Sequence, residues 1–180
     1  MKAKLLGLTN VLLFILLTLL LSGAQTALWL QVFGYFAPPA LWIPVLAYLA
    51  LFRGTLPTII LSHLVAISIS SATTMPLGMV MISCLAVSLS VQVFKTRIFW
   101  MQSTYFMMVS GLSVLIFHIT HFAASWVLGD APLTSPAIGD WTIQALLTPL
   151  VAPLLFPLFR WIDALTQHDD PPEVTGTITV

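Results

Sequence analysis

Apolar residues fall into six runs separated by short polar or basic breaks. The first extends from Leu5 to Leu21 behind Lys2 and Lys4, the second from about Pro38 to Phe52, and the third from Leu56 to Ala72. The fourth covers Leu77 to Phe94, the fifth Ile98 to Leu128, and the sixth Trp141 to Phe159. A helix crosses about 30 Å of hydrocarbon in about 20 residues, so runs of this length predict transmembrane helices. The fifth is long enough to tilt or to project beyond the bilayer. The second is short, about 22 Å if it begins at Pro38. Its approach, "LWLQVFGYFAPP", carries Trp29 and Phe33 among other aromatic residues that favour the headgroup region. That pattern predicts a segment lying along the interface or partly re-entering the membrane. Pro38 and Pro39 then mark the entry to the span, because proline is tolerated in a first helical turn and disfavoured later.

Composition agrees with a lipid environment. Of 180 residues, 59% are hydrophobic and 7% charged, and mean hydropathy is +1.04. A soluble domain carries about a quarter charged residues, which six Lys and Arg and six Asp and Glu do not supply. The balance excludes a disordered chain and a secreted disulfide scaffold. Zero formal charge gives no basic field for nucleic acid. Cys84, the single cysteine, can form no bridge within the chain.

Charge placement fixes an expected topology: an all-α integral membrane protein of six transmembrane helices with both termini cytoplasmic. In that arrangement Lys2, Lys4, Arg53, Lys95, Arg97 and Arg160 all lie on the cytoplasmic side, and the opposite face receives Asp130 and Asp140 without Lys or Arg. The rival reading of the amino terminus is a cleaved signal peptide, with "SGA" at Ser22 to Ala24 as the cleavage site. The turns at Arg53-Gly54 and Lys95 to Arg97 force tight antiparallel hairpins and leave no room for a cytosolic catalytic domain. Residues 1–165 are expected to form the bundle. Residues 166–180 are expected to be a flexible polar cytoplasmic tail, and Gly129 to Asp140, with Pro132 and Pro136, an outer loop.

His118 and His121 share one helical face inside a predicted span, which raises a metal, haem or proton relay. No acidic residue accompanies them within any span, and His63 is the one further imidazole that could approach. They lie on the stripe Gly111, Val114, His118, His121, Ser125, whose alternating steps of three and four are those of a packing seam. A structural histidine bonded to a neighbouring helix is the favoured reading. Ser62, Ala66 and Ser70 in the third span, and Ser83, Ala86 and Ser90 in the fourth, predict close helix contacts with hydroxyls bonding across them. Pro149, Pro153 and Pro157 remove backbone donors along one face of the sixth span and predict a kink shaped to a partner. Arg160 follows, within reach of the cytoplasmic headgroups. No glycine-rich phosphate loop, paired carboxylates, nucleophile elbow or cysteine cluster appears, so neither an enzyme nor a bound cofactor is expected.

The order of these features resembles the bacterial rod-shape-determining MreD family. The segment "FAPPALWIPVLAYLALFRG", with Pro38 and Trp42, is similar to that family's second span, and "MPLG", with Gly78, to the opening of its fourth. The ending "LLTPLVAPLLFPLFRWID" resembles its proline-bearing last span and basic exit. The chain departs from the family pattern at Pro39-Ala40, where a polar residue is common, and in "AISISSATT", which lacks an acidic one. Contacts made by those groups are not carried over. The resemblance implies a non-catalytic inner-membrane scaffold of the cell-elongation and peptidoglycan-synthesis machinery, binding MreC and other membrane proteins of that assembly. The alternative is the substrate-binding component of an energy-coupling-factor vitamin transporter, also a six-span bundle. Those components usually carry alanines four apart in the first span, which here has none between Lys4 and Ala24.

Overall fold

In a computed structural model, residues 2–34, 36–95, 103–129, 135 and 137–166 are described. Among them all regular secondary structure is helical: α1 (Lys2–Gly23), a π-helical turn (Ala24–Leu28), α2 (Trp29–Phe33), α3 (Ile43–Phe52), α4 (Thr55–Ala72), α5 (Leu77–Lys95), α6 (Ser103–Leu128) and α7 (Ile138–Leu165). Five helices are long and apolar enough to cross a membrane, while α3 is a shorter apolar helix. Residues 130–134 and 136 of the outer loop, the basic turn at Arg97 and the tail from Gln167 lie outside the described residues.

The arrangement is a ring around one central helix. α1 packs on α4, α4 on α5, α5 on α6, α6 on α7, and α7 returns to α1, while α3 contacts α4, α5, α6 and α7 from inside. Every residue from Ile43 to Leu51 is buried. α3 has no polar face, and a helix that is apolar all round belongs in an interior. Of the two expectations for this span, a segment lying along the interface is corrected, because its aromatic and aliphatic residues face other helices.

The approach to α3 is also corrected. The first helix does not stop at Leu21 but continues through the π-helical turn to Phe33, so Leu28 to Phe33 extends α1 rather than forming a separate interfacial segment. No proline interrupts the run before Pro38, and Thr26 Oγ1 donates back to Ser22 and Gly23 carbonyls at 3.0 and 3.3 Å. The chain reverses at Gly34, whose φ of 63° is a left-handed conformation that glycine adopts without steric cost. Residues 37–40 then descend without helical structure, with Ala37, Pro39 and Ala40 buried.

Non-helical backbone inside a membrane protein needs partners for its polar groups. Two prolines reduce that demand, because neither has an N–H. Of the donors that remain, Ala40 N–H reaches Thr148 Oγ1 on α7 at 2.9 Å, and Leu41 N–H reaches Gln25 Oε1 in the π-helical turn at 3.1 Å. The Pro38-Pro39 pair thus makes an extended entry to a buried half-span. The first helical turn comes later, with Trp42 as N-cap and proline near the start of α3.

Small residues set the closest approach between α6 and α7. A Cβ on Gly111 would lie 2.7 Å from Pro149 Cγ and 3.2 Å from the Ala145 carbonyl oxygen. Pro149 has no N–H for that carbonyl, so the proline both frees the oxygen and turns it, with its own ring, toward the glycine. α7 nevertheless runs unbroken from Ile138 to Leu165 with Pro149, Pro153 and Pro157 inside it.

The predicted hydroxyl bonds between α4 and α5 take another course. Ser62 donates to Ile59 O and Ser83 to Met79 O, each within its own helix, at 2.8 Å. These two hydroxyls are satisfied by carbonyls one turn back in their own helices, whereas Ser70 donates to Met75 O beyond the end of α4 at 3.0 Å.

Candidate functional site

Two clusters of interacting polar side chains stand out among the described residues. The first is a buried clamp at the end of the bundle where α1 begins, α3 ends and α7 ends. Arg53 Nη2 donates to Asp163 Oδ1 at 2.5 Å in an ion pair whose partners are both 4% exposed. Arg53 Nη2 also lies 3.2 Å from Asn10 Oδ1. Asn10 Nδ2 donates to Asp163 Oδ1 at 2.8 Å and to Thr166 Oγ1 at 2.7 Å. Tyr48 donates its hydroxyl to Asp163 Oδ2 at 2.7 Å. The carboxylate therefore receives three donors from two other helices and the turn after α3, which is what a charge inside an apolar bundle requires. Arg53 Nη1 is buried and has no hydrogen-bond partner among the described residues, while the guanidinium carbon lies 6.0 Å from the Phe14 ring centroid.

The Arg53 backbone is held from the other side. Lys95 Nζ and Gln92 Nε2 both donate to Arg53 O at 3.1 Å, and Gln92 also reaches Ala50 O at 2.7 Å. The tight turn between α3 and α4 is thereby fixed to the end of α5. Above the clamp, Phe14, Tyr48, Phe106, Phe156 and Phe159 pack with ring centroids 5.1 to 6.3 Å apart. This aromatic layer fills the centre of the ring.

Most of the clamp escaped the sequence reading. Hydropathy ends the sixth span before Asp163, makes Arg53 a turn cation and starts the tail at Thr166. In the structure α7 continues past Phe159, and Thr166 is buried with the bundle. The signal was present in the spacing. Thr148, Ala152, Phe159 and Asp163 are buried on one face of α7, and Asn10, Phe14, Thr18 and Ser22 repeat every four residues along α1.

The second place surrounds the histidines, toward the opposite end of α6. His118 Nε2 lies 2.8 Å from Gln144 Oε1 on α7. The Trp141 ring stacks on His118 at 5.3 Å and 7°, His121 stacks on Phe117 at 5.6 Å and 16°, and Trp42 meets Phe117 edge-on at 4.8 Å. His63 lies apart, its Nδ1 2.7 Å from Ile59 O of its own helix. No group of three or more His, Cys, Asp or Glu able to hold a metal occurs among the described residues. His118 bonds to the neighbouring helix, whereas His121 Nδ1 is buried without a partner there.

The remaining candidate residues scatter. Trp29 donates its indole N–H to Phe36 O at 2.9 Å and packs at a tilt of 31° on Phe33, which is exposed. Trp42 is buried and Pro38 half-buried, both in the entry to α3. Gly78 is exposed at the start of α5, where a Cβ would meet Leu128 at 3.7 Å. Pro149 and Pro153 are half-buried, Pro157 and Arg160 exposed. Of the candidates, the structure brings together Trp42, His118 and His121, joined through Phe117. No family model, curated protein or solved structure matches the chain.

Proposed function

We propose that this protein is a non-catalytic scaffold of the bacterial inner membrane, that it serves the cell-elongation machinery as the MreD-like segments suggest, and that it binds MreC. One observation carries the scaffold reading. α1 and α7 are neighbours in the ring, yet 22% and 17% of their spanning windows are buried, against 39% for α4, α5 and α6. Leu8, Leu12 and Leu16 on α1, and Leu146, Leu150 and Leu154 on α7, point away from the bundle. Such a broad apolar surface on two adjacent helices suits a partner's transmembrane helix. The aromatic layer in the ring's centre favours this reading over a vitamin-binding component, which needs room for its substrate.

Mild-detergent purification from the native membrane tests this function. MreC is expected to co-purify, and an energy-coupling module in its place would overturn the assignment.

The same proposal puts both termini in the cytoplasm. Arg53 and Lys95 meet at the clamp end of the bundle, where α1 begins and α7 ends, and basic residues favour the cytoplasmic face. Reporters fused after Val180 and between Pro132 and Pro136 are expected in opposite compartments. The same compartment for both would reverse this topology.

A further inference from the structure

We propose that the clamp is a latch on the seam between α1 and α7, able to release one end of α1 while the rest of the ring stays assembled. α1 and α7 have the sparsest contact of any neighbouring pair in the ring. At the clamp end they are joined by Asn10 to Asp163 and Thr166, with Phe14 against Phe159 just above at 6.1 Å. Toward the other end the two helices are joined indirectly. The extended segment lies between them, bonded to Gln25 on one side and Thr148 on the other. The seam therefore has two fastenings of different kinds. One is a single charged cluster, and the other is a stretch of chain.

The fastenings differ in how they fail. Asp163 draws together Asn10, Tyr48 and Arg53, so neutralising one carboxylate weakens three contacts at once. The bonds to Ala40 and Leu41 involve no charge and do not pass through Asp163. Loss of the Asp163 charge leaves Asn10 bonded to α7 only through Thr166 and so loosens the first half of α1, while the Gln25 end stays in place. α1 then pivots near its π-helical turn, and the flank of α3 opens to lipid.

Spin labels on the full chain in lipid nanodiscs test this in a Cys84→Ala background. One pair, Leu8→Cys with Leu165→Cys, reports the clamp end. A second, Leu20→Cys with Leu154→Cys, reports the far end at matching depth, and all four positions are exposed. With Asp163→Asn, the clamp-end distance is expected to lengthen by roughly 5 Å, the size of a one-turn helix displacement, while the far-end distance stays as in the parent. Asn10→Leu removes the tie to α1 but keeps the ion pair, and is expected to act the same way should Asp163→Asn fail to fold. Unchanged clamp-end distances in a folded variant would overturn the latch. Equal lengthening at both ends, or failure of both variants to fold, would mean that the ring comes apart as a unit and would overturn it too.

Discussion

Asp163→Leu is expected to destabilise the bundle by about 3–5 kcal/mol, because it leaves the Arg53 guanidinium buried without its counter-charge. The paired variant Arg53→Met with Asp163→Leu is expected to recover most of that loss. Replacing both members of a buried ion pair by apolar side chains removes the orphaned charge along with the pair, and is often neutral. Unfolding by denaturing detergent, followed by helical circular dichroism, measures both variants. Recovery in the double variant separates the clamp from a mere requirement for bulk at Asp163. A double variant as unstable as the single would mean that Asn10 and Tyr48, left without the carboxylate, carry most of the energy.

The second large effect is expected at Gly111. A methyl group there would enter the space of Pro149 Cγ at 2.7 Å and the Ala145 carbonyl at 3.2 Å. Neither a proline ring nor a helix carbonyl can rotate out of the way, so α6 and α7 must separate. Gly111→Ala is expected to cost about 1–3 kcal/mol, and Gly111→Val more. Pairing Gly111→Ala with Pro149→Ala should return part of the loss, since the nearest clashing atom disappears. The same unfolding measurement reads it. An unchanged Gly111→Ala midpoint would show that α7 shifts freely at its prolines.

Length and apolarity made the long spans legible, because a membrane helix must be apolar along about 20 residues whatever it packs against. The packing stripe on α6 was legible for a related reason. Gly111 and Val114 repeat at helical steps, and both are buried in the structure. α3 was misplaced because its approach is aromatic, and aromatic residues suit an interface as well as a tightly packed interior. The clue pointing inward was the absence of any polar face from Ile43 to Phe52. The clamp was hidden by distance along the chain. Asn10 and Asp163 are 153 positions apart, and neither lies in a motif. The missed extension of α7 past Phe159 also kept Asp163 out of the candidate set. A buried ion pair is a property of how the ends of three helices meet, which hydropathy along a single chain does not encode.

In the proposed scaffold a partner is held on the outward faces of α1 and α7. Photo-crosslinking amino acids placed one at a time at Leu16 and Leu154, and for comparison at Ile60 on α4 and Val93 on α5, test it in native membranes. All four positions are exposed. Adducts with MreC are expected from Leu16 or Leu154 and not from Ile60 or Val93. Adducts confined to Ile60 and Val93, or none from any of the four, would contradict the account.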